Sequence, residues 1–191
     1  MRVKTLQNKR AKLLFLEAHH YRDLLPLSKE VDLFSFGPSD ISTPSKLRSY
    51  IKEAIRMREN GRALPFIIFD KTRNRFAGST RFGRIDKKNK VVHIGWTWLG
   101  ADFRGSGLNV HIKYLMLQYA FERLQYEKVE FRIDERNIVS RKAVEKIGGT
   151  LEGILRSHII TKNGIRRNSC CYGILRAEWP GLKNTIFKDI L

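Results

Sequence analysis

The sequence predicts a three-layer α/β domain: one mixed sheet with helices covering both of its faces. Two observations lead there. Helical and strand periodicities alternate in the order β-α-α-β-β-β-α-β-α-β-β, and helices inserted between strands must pack on both sides of the sheet they interrupt. No repeat, low-complexity block or Pro/Gly/Ser-rich linker divides the 191 residues, of which 42% are hydrophobic, so a single well-buried domain over residues 1–191 is expected.

Residues 11–17 read as the first strand. A helical stretch through His20-Tyr21-Arg22-Asp23-Leu24-Leu25 follows and is expected to stop around Pro26. Thr43-Pro44 supplies an N-cap and a proline at the first helical position. From there Leu47, Tyr50, Ile51, Ala54 and Ile55 recur at helical spacing until Asn60-Gly61 closes the helix. Residues 65–70 and 75–84 are strands joined by the turn Lys71-Thr72-Arg73-Asn74. In the next strand, 90–99, simple alternation puts Ile94, Trp96 and Trp98 on one face and His93, Gly95 and Thr97 on the other. Residues 108–124 form a helix with Leu108, Ile112, Leu115 and Tyr119 in one stripe and Met116, Ala120 and Leu124 beside it. A strand over 128–134 follows, then a helix over 137–147 ended by Gly148-Gly149. A hairpin of 150–161 with 166–176 about Lys162-Asn163-Gly164 comes last.

Composition narrows the partners more than the fold. The net charge of +18 implies attraction to polyanions: a phosphorylated cofactor, RNA, the ribosome surface or anionic lipid. A solubilising basic surface would give the same number, and a cofactor pocket needs only a few cations. The two cysteines, Cys170 and Cys171, are adjacent and point to opposite faces of a strand, so a bridge between them would be strained. Reduced thiols and a cytoplasmic location follow as expectations. The pair also lacks metal-site spacing, and no metal is expected. The run Leu13-Leu14-Phe15-Leu16 is far short of a membrane span or a signal-peptide core, so no membrane association is expected.

Between the Trp-rich strand and the helix at 108 lies Phe103-Arg104-Gly105-Ser106-Gly107-Leu108-Asn109. A glycine-rich turn from a strand end into a helix start exposes a cluster of backbone N–H groups. The helix dipole adds positive potential, which suits a pyrophosphate. Arg104 adds a formal charge. There is no G-x-x-x-x-G-K-[ST] and no G-x-G-x-x-G, which argues against a P-loop nucleotidase and a dinucleotide fold.

The turn resembles the acetyl-CoA motif [RQ]-x-x-G-x-[GA] of the GNAT superfamily, with Asn109 where Gly or Ala is usual. Downstream, Asn137-x-x-Ser140-x-x-Ala143, then Ile147-Gly148-Gly149 and Leu151-Glu152-Gly153, is similar to the ribosomal-protein N-acetyltransferase (RimJ/RimL-type) branch. Ile94-Gly95-Trp96, Glu152-Gly153-x-Leu155-Arg156 and Glu178-Trp179-Pro180 fit the same branch. The resemblance covers nearly the whole chain and implies the GNAT fold, with a mostly antiparallel seven-stranded sheet. It implies acetyl-CoA as co-substrate and direct transfer to a primary amine, on a protein N-terminus or a small molecule. The cofactor's pantetheine arm would lie between splayed strands Val91–Leu99 and Lys128–Asp134, with N–H groups near Trp98 and Leu99 polarising the thioester carbonyl.

On that basis the cofactor would be held by Trp98, Leu99, Arg104, Gly105, Ser106, Gly107, Leu108, Asn109, Asn137, Ser140 and Arg141. Asn137 reads equally as a helix N-cap and Arg141 as part of a solvated charged face. His93 and His158 have the side-chain chemistry of a general base near neutral pH, and each also reads as a hydrogen-bonded histidine on a half-buried strand. Ser140 stands where relatives bring a Ser or Tyr to the cofactor sulfur, and otherwise bonds locally to backbone. Two competing expectations remain: a basic RNA- or ribosome-binding protein of the same fold with little or no turnover, and a different acyl donor such as succinyl-CoA; assembly as a homodimer is a separate expectation compatible with each.

Overall fold

A computed structural model describes residues 5–29, 34–37 and 39–190. The elements in chain order are β1 (Leu6–Gln7), β2 (Ala11–Phe15), α1 (Tyr21–Ser28), α2 (Pro44–Glu59), β3 (Leu64–Asp70), β4 (Arg75–Asp86), β5 (Val91–Leu99), α3 (Leu108–Gln118), β6 (Lys128–Asp134), α4 (Ile138–Glu145), β7 (Thr150–Ile160), β8 (Arg166–Leu175) and α5 (Trp179–Asn184). They form one sheet in the order β1-β2-β3-β4-β5-β6-β8-β7. Every adjacent pair is antiparallel except β5 and β6, which run parallel.

Among the described residues the sheet has eight strands where seven were expected. The extra one, β1, is a two-residue strand paired with β2 and too short for alternation to reveal. The first helix also runs past its expected end: Pro26 lies inside α1 and gives up the N–H that would bond to Arg22, yet its fixed φ is helical and the helix continues to Ser28. The short α5 was not expected from periodicity. Its Trp179 is 4% exposed and packs with Tyr114, Phe121 and Phe187.

Adjacent residues of β4 show how the layers form. Tyr50 of α2 approaches Ser79, while Met116 of α3 meets the hydroxyl of Thr80, so α2 and α3 lie on opposite faces. Cross-strand partners Phe131 and Tyr172 face Lys113 of α3 and Glu145 of α4, which puts α4 on the α3 side. Leu108, Ile112, Met116 and Leu117 of α3 are completely buried.

Two irregularities at β5 shape the centre of the sheet. Along β4 the pairing steps from Ser79 to Arg81 while along β5 it steps from Trp98 to Gly95, so β5 carries one extra residue. Trp96 takes it up with φ of 51°, a left-handed conformation that costs a bulky residue about 1–2 kcal/mol. This corrects the alternation. Trp96 turns to the side of His93, with ring centroids 5.7 Å apart, and Trp98 packs there against Phe34 at 6.2 Å. Thr97 moves to the α3 face with Ile94, where its hydroxyl lies 2.7 Å from that of Thr80. The second irregularity is a loss of pairing: β5 and β6 share only Val91↔Lys128, Val92↔Val129 and His93↔Glu130, then separate.

Gly78 keeps the β4–β5 pair closed on its other edge. A Cβ there would lie 2.0 Å from the Trp98 carbonyl oxygen. Gly78→Ala is therefore expected to destabilise the fold by about 2–3 kcal/mol, read as a lowered midpoint in chemical denaturation. A midpoint equal to wild type would show that β5 is free to shift.

Candidate functional site

The glycine turn lies where β5 hands over to α3. Gly105 and Gly107 have φ of 67° and 82°, conformations that glycine adopts without penalty. No atom lies within 4 Å of where a Cβ on Gly105 would sit, so the space above the turn is open. Among the described residues no hydrogen bond uses the N–H groups of Gly105, Ser106 or Gly107. These donors, at the start of the eleven-residue helix α3, form an anion cradle.

The turn is braced from three directions. Arg104 is exposed and its Nε donates to the Leu99 carbonyl at 3.0 Å, which keeps its guanidinium at the turn. The Ser106 hydroxyl donates to the Phe103 carbonyl at 2.7 Å. Arg10, from the turn between β1 and β2, donates through Nη1 to the Ser106 carbonyl at 2.6 Å. Arg10 is thus a second cation at the cradle. Its separation of 96 residues from Ser106 left no local trace in the sequence. Leu108 is fully buried and anchors the first turn of α3. Asn109 is half-buried, and its side-chain oxygen is shielded from water with no partner among the described residues.

The cradle opens onto the gap between β5 and β6. Beyond His93 the edge of β5 that faces β6 has no strand partner, so the main chain up to Trp98 and Leu99 borders the cleft. Lys113 of α3 reaches into this region, where its Nζ donates to the Thr97 hydroxyl at 2.7 Å and lies 5.9 Å from the centre of the Phe131 ring. Full burial pushes its ammonium down to about 7. Lys113 was overlooked in the sequence. The signal was there: Tyr114 through Leu117 is buried around the whole helix, which leaves a neighbouring lysine no route to solvent.

On the far side of the cleft, Asn137 caps α4 by accepting from the Ser140 N–H at 3.0 Å. Ser140 is half-buried one turn into that helix, which packs on β6. Arg141 donates to the Tyr172 hydroxyl and to the Glu135 carbonyl, both at 3.1 Å, so its guanidinium is held against the sheet.

The opposite face of the gap carries both histidines. His93 is 6% exposed, and burial together with Arg84, Arg132, Lys113 and Arg167 pushes its imidazole down to about 3. His158 reaches that face because Ser157, with φ of 50°, breaks the alternation of β7. Its Nδ1 lies 2.9 Å from the Ser169 hydroxyl. Desolvation, then Arg132, Arg84 and Arg167, hold His158 below the usual histidine value. Arg167 also ties down the segment after α1, donating to the Phe36 carbonyl at 2.7 Å. Lys162 N–H donates to the Gly37 carbonyl at 2.9 Å, so this segment roofs the histidine face.

An anion cradle opening onto two diverging strands fits a long thioester cofactor with a diphosphate, and comparison with known proteins agrees. The domain family described as "Acetyltransferase (GNAT) domain" matches residues 10–150. The chain belongs to the GNAT acetyltransferase family. The Bacillus subtilis (strain 168) protein named "Putative ribosomal N-acetyltransferase YdaF" is 30% identical over 56% of this chain, which spans 57% of that relative's length. A GCN5-related N-acetyltransferase from Brucella melitensis is 26% identical, superposes with a TM-score of 0.90 and covers 100% of this chain and 87% of its own. The microcin C7 self-immunity acetyltransferase MccE, solved with acetyl-CoA and AMP, is 25% identical at a TM-score of 0.78, covering 88% and 93%. Acetyl-CoA is the co-substrate of this acetyltransferase fold.

Arg104→Ala combined with Gly107→Val is expected to remove the stabilisation that acetyl-CoA brings, about 2.7 kcal/mol at a hundredfold excess over Kd. Differential scanning calorimetry with and without the ligand reads this. An unchanged melting shift in the double variant would detach the cofactor from this turn.

Proposed function

We propose that the chain transfers the acetyl group of acetyl-CoA directly to a primary amine, on a protein N-terminus or a small molecule, within a ternary complex. The separation of β5 from β6 after three residue pairs, beside a turn with unengaged amides, carries this reading. Bound acetyl-CoA supplies an activated thioester, so no enzyme nucleophile is required. The unpaired β5 edge near Trp98 and Leu99 offers main-chain N–H groups where negative charge develops on a carbonyl oxygen.

Proton movement divides among four side chains. For an N-terminal amine near pKa 8, reaching the neutral form at pH 7 costs about 1.4 kcal/mol, against about 4.6 kcal/mol for a lysine. A modest base therefore suffices for the former. With its imidazole near 3, His93 stays neutral at every physiological pH and accepts a proton poorly. His158 is better suited: half-buried, neutral at pH 7 and oriented by Ser169. Ser140 and Lys113, on the helices that flank the cleft, are the groups able to return a proton to the departing thiolate. Lys113 titrates at about 7 and exchanges its proton easily near neutrality.

The net charge of +18 favours a second reading, a ribosome- or RNA-binding protein of the same fold without turnover. Radiolabelled acetyl-CoA offered with peptide N-termini, polyamines, aminoglycosides and ribosomal proteins separates the two. Label in at least one amine supports transfer. RNA affinity that falls steeply with salt, with no labelled product, supports binding alone.

The base form of His158 is the neutral one, and its titration lies below 6.5. Transfer is therefore expected to fall as the solution is acidified through the lowered value, in addition to the pH dependence set by deprotonation of the amine itself. In kcat/KM profiles His158→Ala should lose this acidic limb, whereas His93→Ala should keep it. A limb unmoved in His158→Ala would remove His158 as the base. Ser140→Ala is expected to lower kcat about tenfold or more while leaving the Kd for acetyl-CoA within twofold. Parallel losses in both would make Ser140 a binding residue.

A further inference from the structure

A pocket of about 330 Å³ adjoins the histidine face and takes no part in the chemistry described so far. It lies between α2, through Ser49, Tyr50 and Met57, and the bulge of β5, through Trp96, with Asp40 at its rim and Arg81 of β4 in its lining. Arg81 is 2% exposed. Its guanidinium carbon sits 4.7 Å from the Tyr50 ring centre and 4.9 Å from that of Trp96. Stacking on aromatic rings leaves the in-plane N–H groups of a guanidinium to find their own acceptors. Among the described residues Nη1 finds only the Met57 sulfur at 3.8 Å, and Nε and Nη2 have no hydrogen-bond partner.

That arrangement is costly if the arginine serves packing alone. A buried cation without an acceptor has given up hydration for nothing, and a methionine would fill the same volume without that loss. The neighbouring acids give it no hydrogen-bond acceptor, although the Arg56 hydrogen bond and then the Arg81 charge help to lower the Glu53 carboxyl. Asp40 is paired with Lys46 at 2.7 Å, and Glu53 with Arg56 at 2.8 Å. The unpaired Nε–Nη2 edge is the side of a guanidinium that grips a carboxylate through two parallel hydrogen bonds. Two acids so close disfavour a doubly charged phosphate, whereas a flat, singly charged carboxylate matches both the edge and the aromatic walls. Trp96 is common to this pocket and to the contact with His93, so a group held by Arg81 belongs to a molecule lying on the histidine face.

We propose that this pocket selects the acceptor, with Arg81 taking a carboxylate that the acceptor amine carries. The inference rests on the acetyl-transfer reading, because the acceptor is what the pocket would hold. The carboxylate can belong to a free amino acid or to an acidic side chain near a peptide N-terminus.

Matched acceptors that differ only in carboxylate or carboxamide test this. Free amino acids are compared with their amides, and peptides bearing Asp or Glu with the same peptides bearing Asn or Gln. Wild type should prefer the carboxylate member by at least tenfold in kcat/KM in one of the two sets, which identifies the source. Arg81→Met should bring that ratio close to one, and Arg81→Lys, which keeps the charge without the fork, should leave it reduced. Circular dichroism establishes that a variant is folded, and Arg81→Lys carries the test if Arg81→Met is not. A second arm needs no turnover: titrating wild type with glutamate, without acetyl-CoA, should shift the Arg81 Nε–H resonance, and glutamine amide, which has neither carboxylate, should not. Transfer without carboxylate preference overturns the pocket assignment and leaves acetyl transfer standing. A glutamate-dependent shift with no transfer to any amine upholds the pocket and overturns acetyl transfer. Absence of both overturns both.

Discussion

The structure depends on one failure of pairing. A sheet gains most by zipping each strand to its neighbours, yet β5 and β6 stay together for only three residue pairs. The extra residue at Trp96 bends β5 away, and several contacts hold it in a backbone conformation that a tryptophan alone would avoid. Gly83 leaves room for its ring, since a Cβ there would lie 2.5 Å from it. His93 meets the ring edge-on and Arg81 lies over it. The opened edge, the glycine turn at its end and the helix that starts there border one groove.

Electrostatics then divides that groove into regions with separate tasks. Arg104, Arg10 and the turn amides concentrate positive potential at the helix start. Arg84, Arg132 and Arg167 surround the two histidines and keep both imidazoles neutral. Arg81 stands apart from either group, screened by aromatic rings. Only a few of the 37 basic side chains take part, so the large positive charge has no full account in the groove itself.

Much of this was legible in the sequence wherever the determining signal is local. The cap Thr43 accepts from Lys46 N–H as Thr43-Pro44 implied, and the glycine turn opens α3 where its residues placed it. The features that escaped are non-local or break a period. Nothing about Trp96 announces a bulge, because its conformation is imposed by Gly83, His93 and Arg81 and not by its own propensity. Arg10 meets Ser106 only once α3 packs against β1 and β2, and β1 is shorter than one period of alternation. Arg81 looks like an ordinary surface cation until the elements around it close, and Lys113 is betrayed only by the apolar run Tyr114-Leu115-Met116-Leu117 beside it.

The bulge also has a meaning for the history and redesign of this sheet. Counting by twos along β5 assigns the wrong face to every residue after position 95, so comparisons and core-repacking schemes must change phase there. Deleting that single codon would restore the count, and the strand would be free to zip shut. One small genetic event thus separates the bulged strand from a more regular one.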